Sequence, residues 1–444
     1  MSDGKFKVII VGGGPVGLTA AHALSQAGIN YVLLESRDSC VIDVGASLGL
    51  WPQALRVLAQ FGLLERLRAV GAELKRGVYR TYDGRQFHEV QMSPLEKNHG
   101  ISQILFQRSK LLEVLYESLG EADKARIHTN KKVTNIITNE HGVEVKCADD
   151  STYYGSIVIG ADGVHSKTRS FMRDLALKAS STKVNEERPY TCEYKALWAS
   201  YPRLEGLVSG DTLETHGSQA SVQSLNGNDM CWLFLYEKLP KPTNERASYS
   251  EADVEAYFKR HAELPITENI KVKDVYKHKF KAGMTNLEEG ILKHWSWNRI
   301  VLVGDACHKF TPNQGLGYNN GLQDVAALVN ELHGLVAKDA SPPSIDAITG
   351  AFTRYQAVRS TWIKKDYESS AQWTRMSAWP GLFYRLLDRY IMPSIPFFNS
   401  YLLNSVLSDK VSNCPSLQYL ETGEPFKGKV PWKNPIRAPV KLAS

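Results

Sequence analysis

Cysteine pairing has little support in this sequence. Six cysteines are scattered over 444 residues, and they form no C-x-x-C pair and no zinc-ligand spacing. This excludes a disulfide framework and predicts free thiols in a reducing compartment, with no metal site. The chain enters a strand-like segment near Lys5 without a charged region followed by an apolar one. We therefore expect no signal peptide and a cytoplasmic location.

Long apolar runs are also lacking, even in the apolar C-terminal region. Residues 381–407 are rich in Phe, Leu, Tyr and Ile, but charged residues and prolines interrupt them. No run approaches the roughly 18 to 20 residues that a membrane-spanning helix needs. We expect a lid packed on the rest of the protein, or an amphipathic segment in weak contact with the cytosolic face of an internal membrane. Four prolines after Thr422 predict an extended, loosely held tail.

Charge of one sign does not dominate the chain. The 53 basic and 47 acidic residues give a net charge of +6, and no arginine-rich run occurs. We therefore expect no nucleic-acid partner. The sequence shows no internal repeat and no recognisable catalytic triad.

A glycine motif near the start lies in a strand–helix–strand context. Gly12, Gly14 and Gly17 follow an apolar run and precede a helical pattern, and Glu35 ends the next apolar run. In a βαβ unit such glycines permit a tight turn and bring the backbone close to a pyrophosphate at the helix N-terminus. An acid about 20 residues further on can bind ribose hydroxyls. The motif predicts a dinucleotide cofactor without separating FAD from NAD.

Two later stretches repeat the strand–turn–helix pattern. Residues 156–159 lead into Gly160-Ala161-Asp162-Gly163, and residues 299–303 lead into Gly304-Asp305. Pro312 and Gly315-Leu316-Gly317 then precede a helical pattern over residues 316–332. A carboxylate at the end of a strand can accept hydrogen bonds from sugar hydroxyls, and a helix N-terminus stabilises negative charge. Taken in this order, the three stretches indicate FAD.

These motifs resemble the single-component FAD-dependent monooxygenases related to para-hydroxybenzoate hydroxylase. The likeness is nearest to fungal secondary-metabolite enzymes such as the epoxidases of paxilline and meroterpenoid pathways, and it covers roughly residues 5–375. The shared motifs are Gly12-x-Gly14-x-x-Gly17 with Glu35, Val44-Gly45-Ala46-Ser47-Leu48-Gly49, Gln107-Arg108-Ser109, Gly160-Ala161-Asp162-Gly163, Leu287-Glu288-Glu289-Gly290, and Gly304-Asp305-Ala306 with Pro312.

The resemblance implies roles for these residues in binding FAD. Glu35 would bind the adenosine ribose, and Arg108 would lie near the pyrophosphate and the ribityl chain. Asp162 would serve both FAD and NADPH, and Asp305 would hold the ribityl chain or the phosphates. The remaining residues implied in the cofactor site are Gly45, Ala46, Pro312, Gly315, Leu316 and Gly317. Tyr318 departs from the family pattern, which has a small residue there, and this leaves the geometry of that loop open.

The resemblance also implies the chemistry. Reduced flavin would react with O2 to form a C4a-hydroperoxide that transfers one oxygen atom to a small hydrophobic substrate. The protein would supply position, dryness and electrostatics. NADPH would reduce the flavin without a second glycine-rich nucleotide motif. Lys195 and Tyr236, on strand-like stretches, are the candidates for a polar group near the reacting atoms, although Lys195 could equally face solvent.

We predict an α/β fold with a discontinuous Rossmann-like FAD-binding domain, an interleaved mixed-sheet substrate domain and a helical C-terminal region. The predicted segments are 1–75, 100–178 and 285–375 for FAD, 76–99 and 179–284 for the substrate, and 376–444 for the C-terminal region. The expected reaction is epoxidation of an alkene or an indole, or hydroxylation of an electron-rich ring. Two alternatives stay open: a flavin oxidase or dehydrogenase, which NADPH would not reduce, and a non-catalytic flavin-binding escort protein, which would hold a protein partner.

Overall fold

The structure is a computed structural model that describes residues 5–43, 47–337, 342–395 and 401–439. The strands in chain order are β1 Lys7–Val11, β2 Asn30–Leu34, β3 Ser47–Leu50, β4 Ala72–Glu73, β5 Arg76–Thr81, β6 Gln86–Gln91, β7 Ile104–Gln107, β8 Ile127–His128, β9 Val133–Thr138, β10 Val143–Cys147, β11 Thr152–Gly155, β12 Ile157–Gly160, β13 Thr191–Pro202, β14 Asp211–His216, β15 Ala220–Asn226, β16 Met230–Thr243, β17 Lys281–Ile291, β18 Ser296–Trp297, β19 Ile300–Leu302 and β20 His308–Lys309.

The helices lie mainly before, between and after these strands. They are α1 Pro15–Gln26, α2 Pro52–Gln60, α3 Leu64–Val70, α4 Ser93–His99, α5 Arg108–Glu117, α6 Glu121–Lys124, α7 Lys167–Lys178, α8 Glu251–His261, α9 Val272–Tyr276, α10 Leu316–Val336, α11 Ile345–Ala378, α12 Leu382–Leu386, α13 Met392–Ser394 and α14 Leu407–Ser412. Short 3-10 turns at Gly304–Ala306 and Pro312–Gln314 precede α10.

A six-stranded sheet carries the glycine motif. Its order is β18-β19-β12-β1-β2-β8, and all neighbours are parallel except the β18–β19 pair. Residues Val8 to Val11 are buried, as expected for a central parallel strand with both faces covered. Because β1, β12 and β19 are adjacent, the loops that follow them meet at one edge of the sheet. The predicted α/β class is confirmed.

A mixed eight-stranded sheet forms the other large layer. Its order is β20-β17-β13-β16-β15-β14-β5-β6, with a parallel β14–β5 pair among antiparallel neighbours. Asp83-Gly84, a dipeptide typical of hairpin turns, joins β5 and β6 at the edge of this sheet. Strand alternation gives this sheet two different faces. One face packs Leu197, Val222 and Leu235 against Tyr257 of α8 and Val275 of α9, and the other faces a large cavity.

Two smaller sheets and a pair of long helices complete the described fold. The small sheets have the orders β11-β10-β9 and β3-β7-β4. Helix α11, 34 residues long, packs along α10 and reaches β14 and β15. It ends at Ala378, and the next residue, Trp379, has a left-handed φ of 37°, so the chain turns sharply there. No helix in the described ranges has both the length and the apolar character needed to cross a membrane.

The structure corrects two of the expectations on loops and tails. Residues 238–243 are polar and contain two prolines, a composition that predicts a loop, but they continue strand β16. The tail after Thr422 is packed rather than loose: Phe426, Trp432 and Ile436 are buried. Burial of these side chains stabilises the tail, although the tail is extended and has no regular structure. Its prolines predict the extended shape but not the burial.

Candidate active site

The first glycine turn leaves open space at the start of α1. Gly12 has φ +106°, and a Cβ on Gly17 would lie 1.9 Å from the Gly12 carbonyl oxygen. These two positions therefore exclude larger residues. A Cβ on Gly14, by contrast, would meet no atom within 4 Å. The free N–H groups of the first helical turn thus border a space that a pyrophosphate can enter.

Glu35 ties the end of β2 to this turn. Its Oε2 accepts a hydrogen bond from the Gly13 N–H at 2.6 Å, and its Oε1 accepts one from the Arg37 N–H at 2.9 Å. The carboxylate is buried and lines the cavity beside the glycines. This is the position that a ribose-binding acid requires in a βαβ unit.

Asp162 holds its own loop in place. Its Oδ1 accepts from the Ser166 hydroxyl at 2.5 Å, and its Oδ2 accepts from the Thr168 N–H at 2.9 Å. The loop abuts the first glycine turn, because a Cβ on Gly12 would lie 2.6 Å from the Ala161 carbonyl oxygen. Asp162 also lines the cavity. The middle and first stretches therefore form one surface.

Opposite charges face the centre of the cavity. Asp305 pairs with Lys309, and Arg108 makes no hydrogen bond through its side chain to any residue in the described ranges. Burial lowers the pKa of Arg108, and nearby Asp305 acts in the opposite direction. A half-buried guanidinium without a hydrogen-bond partner among the described residues is a ready site for a phosphate oxygen.

The third stretch, Gly315-Leu316-Gly317, places the N-terminus of α10 at the same cavity. Gly315 adopts φ +65°, which turns the chain from the 3-10 turn into the helix. The Asn319 Nδ2 group donates to the Gly49 carbonyl at 2.7 Å, and its Oδ1 accepts from the Trp51 N–H at 2.9 Å. The Tyr318 side chain is accommodated between helices, with its hydroxyl 2.8 Å from the Thr19 hydroxyl. This contact explains how a bulky residue fits the loop.

One cavity of about 1030 Å³ joins these groups. The predicted cofactor residues that line it are Gly12, Gly14, Glu35, Arg108, Asp162, Asp305, Pro312, Gly315, Leu316 and Gly317. Gly17 packs behind the turn, while Gly45 and Ala46 lie outside the described residues. Two helix N-termini, a carboxylate beside the glycine turn and a guanidinium fit the dinucleotide FAD.

The far part of the cavity is mostly apolar. The side chains that line it come from the eight-stranded sheet, from the link between β4 and β5, from α11 and from the C-terminal region: Leu74, Val90, Trp198, Leu225, Phe234, Trp373, Met376, Met392 and Leu403. Glu214 and Gln223 interrupt this wall. Such a surface suits a hydrophobic small molecule held by a few polar contacts.

The two catalytic candidates do not reach this wall. Lys195 points to the opposite face of the sheet, where it pairs with Glu237 at 3.8 Å and lies over the Tyr257 ring. Alternation explains this, because its neighbours Ala196 and Trp198 are among the residues of β13 that line the cavity. Tyr236 shares the cavity-side face but is buried behind Gln223. The Tyr236 hydroxyl donates a hydrogen bond to Gln223 Oε1 at 3.1 Å.

Sequence reasoning missed a buried ion cluster beneath the Gly304 loop. Asp324 accepts from His308 Nε2 at 2.6 Å, from Arg359 Nε at 2.8 Å and from the Gly304 N–H at 3.0 Å. Burial raises the pKa of Asp324, but His308 and Arg359 outweigh it and hold that pKa at about 2. The sequence signal for this cluster was Asp324, an acid inside the helical pattern that follows Gly304-Asp305. Cys307, His308 and Asp324 are close enough together for a metal, but these hydrogen bonds already occupy the carboxylate.

Comparison with known proteins agrees with this geometry. A family profile described as "FAD binding domain" matches residues 5–351. The FAD-dependent monooxygenase penE of Penicillium thymicola is 32% identical over 441 residues, covering 97% of this chain and 90% of penE. The FAD-dependent monooxygenase ausM of Penicillium brasilianum is 34% identical over 398 residues, covering 88% of this chain and 83% of ausM.

Solved structures show the same fold at lower identity. HpxO of Klebsiella pneumoniae, complexed with FAD and uric acid, has a TM-score of 0.73 at 19% identity and covers 91% of this chain and 96% of its own. CtdE in complex with FAD and a substrate has a TM-score of 0.70 at 17% identity, covering 91% and 99%. The chain therefore belongs to the FAD-dependent monooxygenase family.

Proposed function

We propose that this monooxygenase uses NADPH and O2 to transfer one oxygen atom to a hydrophobic secondary metabolite. The observation that carries the proposal is the continuity of the cavity. The same space is lined by the predicted FAD residues at one end and by an apolar wall at the other. A cofactor and a hydrophobic molecule can therefore meet in it without an intervening barrier.

In this proposal one end of the cavity binds FAD and the other binds the substrate. The N–H groups of α1 and the Arg108 guanidinium would bind the pyrophosphate, Glu35 would bind the adenosine ribose, and Asp305 would hold the ribityl chain. The N-terminus of α10 would hold the flavin end of the cofactor and favour negative charge there. When bound, FAD supplies the redox chemistry that activates O2, and the apolar wall excludes water.

NADPH approaches the same cavity in this proposal. Two basic side chains, Arg37 and Lys309, line the same cavity as Asp162. Positive charge at an opening favours the phosphates of a dinucleotide. The lack of a second glycine-rich nucleotide motif agrees with reduction of the flavin at a shared site.

The setting and the reaction are inferred from the relatives and from the wall. The relatives penE and ausM come from Penicillium species, and we place this chain in a fungal biosynthetic pathway. The wall suits epoxidation of a prenyl or indole double bond, or hydroxylation of an electron-rich ring. Among the described residues, this wall contains no row of basic groups suited to small acids.

Weak contact with a membrane surface is a further part of the proposal. Leu382, Phe383 and Tyr390 are exposed on the C-terminal region, beside Arg385 and Arg389. Apolar and basic groups together suit an anionic lipid surface. We expect co-sedimentation with phosphatidylserine vesicles that the L382D/F383D variant loses. Recovery of the wild-type protein in the supernatant would contradict this contact.

A substrate screen under ¹⁸O2 tests the proposed function. FAD-loaded protein is incubated with NADPH and with prenylated indoles, prenylated phenols, terpenoid alkenes or small phenolic acids. We expect one ¹⁸O atom in products of the hydrophobic compounds, detected by mass spectrometry. Turnover of small phenolic acids alone would contradict the substrate class, and formation of hydrogen peroxide without a labelled product would indicate an oxidase.

A further inference from the structure

A buried polar cluster interrupts the apolar wall of the cavity. His216 lies between two carboxylates, with Nδ1 2.7 Å from Asp388 Oδ2 and Nε2 3.2 Å from Glu214 Oε2. Both carboxylates line the cavity, and His216 lies behind them with its side chain almost fully buried. We call Glu214 and Asp388 the carboxylate pair.

Two distant parts of the chain build this pair. Alternation along β14 places Glu214 and His216 on the cavity-side face of the sheet, together with Thr212. Asp388 comes from the C-terminal region, beyond the sharp turn at Trp379. The indole Nε1 of Trp379 donates to Asp388 Oδ2 at 2.8 Å. The C-terminal region therefore reaches the sheet through this acid.

The groups around the carboxylate pair neither neutralise its negative charge nor fill all of its hydrogen-bond acceptors. His216, when protonated, offsets one of the two negative charges, which leaves a net charge of −1. Gln223 Nε2 donates to Glu214 Oε1 at 3.0 Å. Asp388 Oδ1 accepts no hydrogen bond from any residue of the described chain. An uncompensated charge in an apolar wall is costly, and a donor brought by a ligand would lower that cost.

A second observation points to a ligand at the same place. The Tyr79 side chain lines the cavity and is only 7% exposed, yet its hydroxyl forms no hydrogen bond within the described ranges. Tyr79 is the β5 partner of Glu214 in the parallel register, and its ring lies 5.6 Å from the His216 ring. A buried hydroxyl of this kind normally has a partner. The hydroxyl lies near Gly77 and Thr212, and Thr212 also lines the cavity, so its partner is left to a molecule in the cavity.

The cluster also lies close to the cofactor end. Gln223 Nε2, which holds Glu214, also donates to the Asn313 carbonyl at 3.1 Å. Asn313 belongs to the 3-10 turn directly before Gly315 and α10. The aromatic rings of Phe87 and Trp373 line the cavity next to His216. A flat ring held against them would present its polar group to the carboxylate pair.

We propose that Glu214, Asp388 and Tyr79 recognise an N–H or O–H donor on the ring system of an otherwise apolar substrate. This inference rests on the proposed function, because it concerns the substrate end of the same cavity. It narrows the substrate class to compounds such as indoles and phenols. A terpenoid alkene without a donor would leave the carboxylate pair and the Tyr79 hydroxyl unsatisfied.

Calorimetric binding of two matched probes tests the proposal. FAD-loaded protein without NADPH is titrated with 2-naphthol and with 2-methoxynaphthalene, which lacks the donor. We expect the wild-type protein to bind 2-naphthol at least about tenfold more tightly, because a site built for a donor rejects the analogue that lacks it. Glu214→Gln, Asp388→Asn and Tyr79→Phe should each reduce this preference. Glu237→Gln, on the opposite face of the sheet, is the matched control and should retain it.

The outcomes separate this inference from the proposed function. Equal affinity for the two probes, binding of neither, or an unchanged preference in all three cavity variants would overturn it. The visible flavin spectrum and the melting temperature of each variant identify any loss of folding or cofactor. Because the titration needs no NADPH and no turnover, a failed reductive reaction would leave its result intact.

Discussion

At the scale of single residues, two glycines make the first turn possible. A Cβ on Gly17 would lie 1.9 Å from the Gly12 carbonyl oxygen, so α1 could not pack against the turn. We expect Gly17→Ala to lose bound FAD, measured as flavin absorbance per protein after purification. Gly120→Ala is the control, since its Cβ would meet no atom within 4 Å. Equal flavin content in both variants would contradict the assigned role of the turn.

His216 gives the second prediction at this scale. Burial lowers its pKa, but Asp388 and Glu214 outweigh burial and raise the pKa to about 9. A raised pKa in the folded state stabilises the protein fully below the unfolded value near 6.5, and the contribution is lost as the pH rises through 9. We expect His216→Gln to cost about 3 kcal/mol of unfolding free energy at pH 6 and much less at pH 9.5.

Urea unfolding at several pH values measures this difference. The control is His99→Gln, because burial lowers the pKa of His99 to about 4 and that ring does not titrate in the same window. Because only the unfolded-state ring titrates, near 6.5, the cost of His99→Gln should rise by less than about 1 kcal/mol from pH 6 to 9.5, opposite in sign to the change for His216→Gln. A His216→Gln curve that runs parallel to the wild-type curve would show that the ion pair is not formed as described.

The residues that could be predicted from sequence share one property. Glycines and acids directly after an apolar strand carry a local signature, so Gly12, Glu35, Asp162 and Asp305 could be identified, and all of them line the cavity. His216 and Asp388 are 172 positions apart, and no local pattern connects them. Lys195 shows the remaining difficulty: a strand pattern gives alternation but does not say which face meets the cavity.

At the scale of elements, the C-terminal tail packs against α2 and is held there by an ion pair. Glu424 forms two hydrogen bonds of 2.7 Å to Arg56, whose side chain is 1% exposed. The Arg56 guanidinium also lies 4.3 Å from the centre of the Trp432 ring. The prolines of this tail predicted loose structure, because the partners that order it lie more than 300 positions away.

Removing Glu424 tests how much this ion pair contributes to stability. We expect Glu424→Ala to cost about 3 kcal/mol, since it leaves the Arg56 charge buried without its carboxylate partner. Lys433→Ala in the same tail removes an exposed pair with Asp409 and should cost less than about 1 kcal/mol. Unfolding in urea at constant FAD concentration compares them. Similar small losses in both variants would mean that the tail contributes little to stability.

At the scale of the whole molecule, one sheet supplies the cofactor loops and another supplies the substrate wall. The α/β class, the glycine-turn helix and the mixed sheet could be predicted, because periodicity reports which strands are fully buried and which alternate. The domain boundaries stay a prediction. How the C-terminal region would complete the cavity could not be predicted, since Asp388 and Met392 reach it only after the sharp turn at Trp379.

The reductive reaction tests the central claim most directly. FAD-loaded protein is titrated with NADPH under anaerobic conditions, alone and with 2-naphthol present, while the visible flavin spectrum is recorded. We expect the band of oxidised flavin to bleach with about one NADPH per flavin and to return when O2 is admitted. A flavin that stays oxidised under both conditions would contradict an NADPH-dependent monooxygenase and favour an oxidase on the same fold.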